Sequence, residues 1–317
     1  MGLMVRCNIP CKCGYATSDL HRAKYFDRCP ATRTMEYVTP QGIEIPALGF
    51  GTARMESEAE HRRAIDEALE AGYRHFDTAQ RYGSEPVLGA AIADAPIQRE
   101  DLFITTKLDD HNRAYDAVIE STMESIEHLG LDYLDLLLNH WPNPEYAPPD
   151  AETIAAMNDL RDDGLVAHIG VANHSVDNLR HVIEISDAPI LTAQERYNLL
   201  DRERARGGRG DSDDDLRQFC IEKDVALVAY SPLGVGEVLN TATTVEIADR
   251  YEKTPAQVAL RWLIQQPMVA AIPFSRSPTH IRENIEIFDF ELSSAEMREL
   301  FALGESLDDG RAAILGM

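Results

Sequence analysis

Lysine is scarce in this chain: Lys12, Lys24, Lys107, Lys223 and Lys253 are the only ones among 317 residues, and arginine supplies the rest of the 30 basic side chains. Positive charge is short altogether, because 54 acidic groups leave a formal net charge of −24. A polyanion would be repelled rather than held by counterion release, which argues against nucleic acid as a partner. Also missing is any run of about 18 apolar residues, so no membrane span is expected. The opening Met1 to Val5 is too short for the apolar region of an export signal and lacks a charged leader, so export is not indicated and a cytoplasmic location is expected. A GxGxxG phosphate fingerprint between a strand and a helix is absent too: Gly49 and Gly51 do not supply it. Gly207-Gly208-Arg209-Gly210-Asp211 lacks the right preceding strand and runs into Asp213, Asp214 and Asp215, the pattern of a solvated loop.

What is abundant is dispersed acid. A lysine-poor surface rich in Asp and Glu resembles that of proteins from salt-loving organisms, in which high ionic strength screens self-repulsion. The acids are spread over many segments rather than gathered in a tail, so an acidic face for one basic partner is the weaker account.

Residues 1–34 differ from the rest. They carry six basic and two acidic side chains and hold Cys7, Cys11, Cys13 and Cys29 of the five cysteines. A small zinc site formed by these thiolates with His21 is one reading, but the spacing is not a paired CxxC. The charge break favours the other, that Met35 is the true start and the leader is disordered or an over-extended translation. Residues 35–317 then form the folded domain. Cys220, in an apolar helical run, is expected in the core.

From Tyr37 to Ile45 two short extended pieces flank a glycine turn, the pattern of a hairpin. A strand followed by an amphipathic helix then recurs: Leu48 to Thr52 with Ala59 to Ala71, His75 to Ala79 with Pro86 to Ile92, Leu102 to Lys107 with Tyr115 to Leu129, and Leu134 to His140 with Thr153 to Arg161. The series continues with His168 to Asn173 and Val176 to Ile185, Thr192 to Tyr197 and Leu216 to Lys223, Ala226 to Ser231 and Val245 to Gln265, and Val269 to Pro273 and Thr279 to Ile287. Eight such units at this length predict an α/β protein built as a (β/α)8 TIM barrel with an N-terminal β-hairpin, ahead of an open Rossmann sheet.

In such a barrel the active site lies at the C-terminal ends of the strands. Four of these ends are polar: Asp77-Thr78-Ala79, Thr105-Thr106-Lys107, Asn139-His140-Trp141 and Ala172-Asn173-His174. A strand-end lysine can simply snorkel to solvent. In a chain that nearly abandons lysine, however, Lys107 points to chemistry, since arginine would have served for charge and solubility. A tyrosine has a free pKa near 10 and moves protons poorly at neutral pH. An ammonium within about 4–6 Å stabilises the phenolate, and Asp77 paired to Lys107 would fix that ammonium beside Tyr82, making Tyr82 a usable general acid. His140 at the next strand end could donate to the same substrate oxygen as charge develops there, although a lone histidine is as often a satisfied core residue.

These residues and their surroundings resemble the aldo-keto reductase family. The resemblance runs from about Tyr37 to Ser306, on LGFGTAR, AGYRHFDTAQRYGSE, LFITTKL, LDLLLNHWP, HIGVANHS, VALVAYSPLG, TPAQVALRWLIQ and AIPFSRSPTHIRENIEIFDFELS, in that order. It implies that Asp77, Tyr82, Lys107 and His140 are a catalytic tetrad and that no metal takes part. It implies NADPH as cofactor, with NADH the alternative, held without a Rossmann domain. On that basis Gly51 and Thr52 touch the cofactor, Asn173 and Gln194 hold its carboxamide, Tyr230 stacks on the nicotinamide, and Ser231, Pro232, Leu233 and Gly234 line the pyrophosphate. Ser275, Arg276, His280, Glu283 and Asn284 would meet the adenosine end. Ser277 can cap and Pro278 begin a helix whose N-terminus suits a phosphate.

Some positions depart from the family pattern. Ala172 stands where a serine often precedes the asparagine, Phe274 where a lysine often faces a 2′-phosphate, and His280 where an arginine is frequent. Ala53 replaces a tryptophan that commonly walls the substrate pocket, which implies a more open pocket with Trp141 and Tyr146 as remaining aromatic walls. Arg54 could meet an anionic substrate or merely face solvent. A small carbonyl compound is the expected substrate of a monomeric enzyme, the alternative being a sensor of the same fold that binds NADPH and rarely reacts. A tuned phenol would be superfluous in such a sensor.

Overall fold

The computed structural model describes residues 35–53, 56–143, 150–202 and 215–303. The basic leader with its cysteines and the zinc reading, Arg54, Tyr146, the Gly207 loop and the C-terminal tail lie outside the described residues.

Strands β1 (Tyr37–Val38) and β2 (Ile45–Pro46) pair antiparallel as the expected hairpin, with Val38 opposite Ile45. Its turn places Gln41 at φ 53° and Gly42 at φ 79°. From there the Gln41 amide donates to Ile190 O at 2.9 Å, at the start of a barrel strand, and its backbone N–H donates to Asp224 Oδ2 at 2.9 Å. The hairpin therefore sits on the N-terminal face of the barrel, opposite the polar strand ends.

Eight parallel strands follow: β3 (Phe50–Gly51), β4 (His75–Asp77), β5 (Phe103–Lys107), β6 (Leu134–Asn139), β7 (Val166–Ala172), β8 (Ile190–Arg196), β9 (Ala226–Tyr230) and β10 (Val269–Ala271), hydrogen-bonded in chain order. The ring is closed by the backbone of the first strand segment against the last. Gly49 N donates to Ala271 O and Ala271 N to Ala47 O, each at 2.8 Å, and Gly51 N donates to Pro273 O at 3.0 Å. Apolar runs such as Leu136-Leu137-Leu138 and Leu227-Val228-Ala229 are buried on both sides, as parallel strands covered by helices require. Cys220 is buried, in line with a core role.

The helices are α1 (Glu58–Ala71), α2 (Glu85–Asp94), α3 (Tyr115–Leu129), α4 (Asp150–Asp162), α5 (Val176–Ile185), α6 (Leu216–Glu222), α7 (Ala242–Tyr251), α8 (Pro255–Ile264), α9 (Pro278–Ile285) and α10 (294–303). One expectation is corrected: Val245 to Gln265 is two helices rather than one. Pro255 cannot donate within a helix and clashes with the preceding turn, so α7 ends at Tyr251, capped by Glu252 with φ 54°, and α8 starts afresh. Thr254 and Gln257 form a reciprocal capping box around that start.

Packing between α2 and α3 leaves no space at Gly89. A Cβ there would lie 2.5 Å from Leu129 O and 2.6 Å from its carbonyl carbon, backbone atoms that cannot step aside. Gly89→Ala is accordingly expected to lower unfolding stability by roughly 1–3 kcal/mol despite its better helix propensity, measurable as a reduced urea midpoint with unchanged slope.

Candidate active site

The register of the barrel brings the polar strand ends together. Asp77 closes β4 beside Gly51 of β3, Lys107 closes β5 opposite Leu138 of β6, His140 follows β6, and Ala172 of β7 faces Gln194 of β8. All four strand-end groups singled out from the sequence thus lie on the C-terminal face, where Asp77, His140, Trp141 and Asn173 line one cavity of about 790 Å³ and Lys107 is paired to Asp77.

Lys107 is 1% exposed and its ammonium contacts Asp77 Oδ1. It also donates to Thr78 O at 2.8 Å and lies 5.3 Å from the centroid of the Tyr82 ring. An ammonium has three donors, and two are committed to holding it in place. The second carboxylate oxygen of Asp77 accepts from Gln194 Nε2 at 2.7 Å. Sequence alone pairs Asp77 with Lys107 and does not show this second bond, which joins residues 117 apart in the chain.

Tyr82 ends a single 3-10 turn, Gln80–Tyr82, that leaves β4 through extended Ala79 and stops at Gly83 in the left-handed region with φ 67°. Buried hydroxyls fix this loop. Ser84 Oγ lies 2.7 Å from Thr78 Oγ1 and 2.9 Å from Thr52 Oγ1, and the Thr52 hydroxyl donates to Asp77 O at 3.1 Å. Thr52, expected at the cofactor, is fully buried, and its hydroxyl supports the strand end beneath Asp77. The Gln80 side-chain oxygen accepts from Asp109 N at 2.7 Å and ties the same loop to the segment after β5.

The His140 ring stands edge-on to Tyr82 with centroids 6.1 Å apart and stacks on Trp141 at 6.3 Å. Burial pushes its pKa down to about 4, helped by the Lys107 ammonium and opposed by Asp77. At neutral pH the ring is uncharged and offers one N–H and one lone pair. Nδ1 is buried with no partner among the described residues, which leaves Nε2 as the nitrogen toward the cavity.

His75 and His174 are fully buried, and burial lowers both to about 4 as well. Their folded pKa values lie below the unfolded value near 6.5, so the unfolded chain binds more protons between those limits and stability falls as pH drops through about 6.5 toward 4. Each group then loses on the order of 3 kcal/mol. Urea midpoints taken across this range should decline steeply below about pH 6; a flat profile would contradict the neutral, buried state of these rings.

The remaining wall comes from β7 to β10. Asn173, in the left-handed region with φ 62°, donates through Nδ2 to His140 O at 3.0 Å and accepts the Tyr230 hydroxyl at 2.8 Å. Ser231, Pro232 and Leu233 line the cavity, while Gly234 is buried just behind them near Asn198. Ala53 and Trp141 line it too. Arg276 lines the cavity, whereas Ser275, His280, Glu283 and Asn284 lie next to it on the following loop and α9 without lining it. Ser277 caps α9, with Pro278 in its first turn. Arg81, Val235, Leu239 and Ile272 also line the cavity and were not singled out. Only Arg81 carried a signal, as the polar neighbour of Tyr82.

The protein is an oxidoreductase with a (β/α)8 barrel fold, and the chain belongs to the aldo/keto reductase family, whose model matches residues 47–305. An aldo-keto reductase of Mycobacterium avium is 39% identical over 268 residues, covering 84% of this chain and 87% of that protein. Among solved structures, an aldo/keto reductase from Brucella melitensis superposes with TM-score 0.76 at 36% identity, covering 85% of this chain and 100% of that one. A Bombyx mori aldo-keto reductase in complex with NADP superposes with TM-score 0.76 at 32% identity, over 86% of this chain and 94% of its own.

Proposed function

We propose that this protein reduces small aldehydes and ketones to alcohols with NADPH, or with NADH, and that Tyr82 is the proton donor. The observation that carries the reading is the convergence of Tyr82, the Lys107–Asp77 pair and a neutral His140 on one end of a single large cavity. The donor set suits a nicotinamide dinucleotide: amides of Asn173 and Gln194 and the Tyr230 ring at the inner end, the Ser231 to Leu233 backbone along one wall, and the Arg276 guanidinium farther out. When bound, that cofactor supplies the hydride.

Everything else falls to this chain's side chains. Tyr82 gives its phenolic proton to the carbonyl oxygen as charge develops there. Lys107 places a fixed positive charge beside the phenol, and Asp77 keeps it there. His140 directs an N–H at the same oxygen; being neutral, it orients the carbonyl without competing to protonate it. Gln194 braces the free oxygen of Asp77. The walls of Trp141, Leu233 and Ile272 exclude water, which strengthens each of these interactions. Ala53 makes room for a range of carbonyl compounds. We read the enzyme as a monomer of the cytoplasm, working at high ionic strength because of its net charge of −24.

The test is NADPH and NADH oxidation by purified protein in molar KCl with a broad panel of aldehydes, ketones and dicarbonyls. Turnover of several members is expected, and none with either cofactor would overturn the proposal. Because His140 is already neutral, its titration should leave no inflection between about pH 5.5 and 8 in kcat/KM. Such an inflection, absent in His140→Asn, would refute the neutral-donor role.

A further inference from the structure

Arg276 lines the outer part of the cavity, and on the cofactor reading above a 2′-phosphate would rest on it, yet its guanidinium is already held. It is 2.8 Å from Glu56 Oε1 and 3.8 Å from Glu60 Oε1. The arginine comes from the loop after β10, the last strand of the ring, and the glutamates from the loop and first turn after β3, the first. These ion pairs therefore bridge the seam of the barrel beside the outer part of the cavity.

Local structure positions both acids. Ser57 caps α1 by accepting from Glu60 N at 3.3 Å, and Glu60 returns a carboxylate oxygen to Glu56 N at 2.9 Å. Glu60, with its side chain 21% exposed, is thus anchored by the helix start, and Glu56, 79% exposed, is carried on the backbone that it grips. The three side chains together carry a net charge of −1.

We propose that Glu56 and Glu60 are specificity-determining residues that compete with a 2′-phosphate for Arg276 and so set the selectivity between NADPH and NADH; this rests on the cofactor reading above. A phosphate monoester brings about −1.5 to −2 charges at pH 7 and seeks a bidentate grip on the guanidinium. To obtain it the phosphate must displace Glu56 and remain beside two carboxylates. A ribose 2′-hydroxyl brings no charge, can donate to a carboxylate, and leaves the ion pairs intact. Both pairs are solvent-accessible, so each contributes modestly and is weakened by salt. In a strongly acidic protein, ionic strength becomes part of the selectivity.

Sign reversal distinguishes this from a structural role. The wild-type site repels the phosphate on balance, so salt should improve NADPH binding relative to NADH. In Glu56→Gln/Glu60→Gln the site is net positive and salt should do the opposite.

The experiment titrates wild type, the single variant Glu56→Gln and the double variant with NADPH and NADH, without substrate, by quenching of tryptophan fluorescence at about 0.2 M and about 2 M KCl. Trp141 in the cavity wall makes quenching a direct readout. The double variant should bind NADPH about tenfold more tightly with NADH changed by less than about twofold, and Glu56→Gln, which keeps the Glu60 anchor, should shift the same way by less. The ratio Kd(NADPH)/Kd(NADH) should fall with salt in wild type and rise in the double variant. Binding of both cofactors with an unchanged ratio, or a ratio moving toward NADH in the variants, overturns the inference while leaving the cofactor reading standing. Binding of neither cofactor by wild type overturns that reading and the inference with it.

Discussion

Replacing Tyr82 by Phe is expected to lower carbonyl turnover by roughly 10²–10⁴-fold while changing the dissociation constant for NADPH by less than about twofold. The phenylalanine keeps the ring that faces His140 edge-on and lies over the Lys107 ammonium, so packing of the loop survives. Only the hydroxyl is removed, and with it the group that we assign to protonating the carbonyl oxygen. His140 cannot take over, because burial keeps its imidazole neutral and a neutral ring is a poor acid. Single-turnover kinetics with saturating cofactor would separate the chemical step from binding. Full activity of this variant would mean that another group delivers the proton.

Lys107→Met should be damaging in two measurable ways. The ammonium and its Asp77 partner are both buried, and removing one member leaves a carboxylate in the barrel with Gln194 as its remaining side-chain hydrogen-bond partner among the described residues. Breaking a buried pair from one side costs about 3–5 kcal/mol. Turnover should collapse as well, since the buried ammonium held beside the Tyr82 ring is lost. The two effects can be pulled apart with the double variant Lys107→Met/Asp77→Asn, which removes the orphaned charge. It should recover much of the lost stability, read as a urea midpoint, and none of the activity. Recovery of turnover in the double variant would show that Lys107 serves the fold alone; an undiminished midpoint in Lys107→Met would show that the pair is not buried.

The different legibility of these parts has a physical basis. The hairpin, the alternating strands and helices and the polar strand ends could be read directly, because each depends on residues close in sequence: glycine in the turn, apolar runs for strands buried on both faces, and a 3.6-residue period for helices. Scarcity helped too, since a lysine kept at position 107 in a chain that has replaced nearly all others by arginine is conspicuous. The break at Pro255 is less conspicuous, because apolar helical spacing runs on both sides of it. The bonding of Thr52 is not legible in the same way: sequence places it at a strand end but does not say that its hydroxyl turns toward Asp77 O and Ser84.

By itself, then, the sequence determined the order of elements, the face of the barrel that carries the chemistry and the four side chains proposed to perform it, since all of these follow from local pattern. Only the tertiary structure decided what those side chains touch. Gln194 reaches Asp77 across 117 residues of chain, and Arg276 reaches Glu56 across 220. Such distances are set by the closure and register of the ring, and no local pattern encodes them. The charge state of His140 belongs with them. An imidazole is poised near neutrality by its own chemistry, and it is desolvation within the folded barrel, with Lys107 nearby, that moves it to about 4 and makes it a neutral donor.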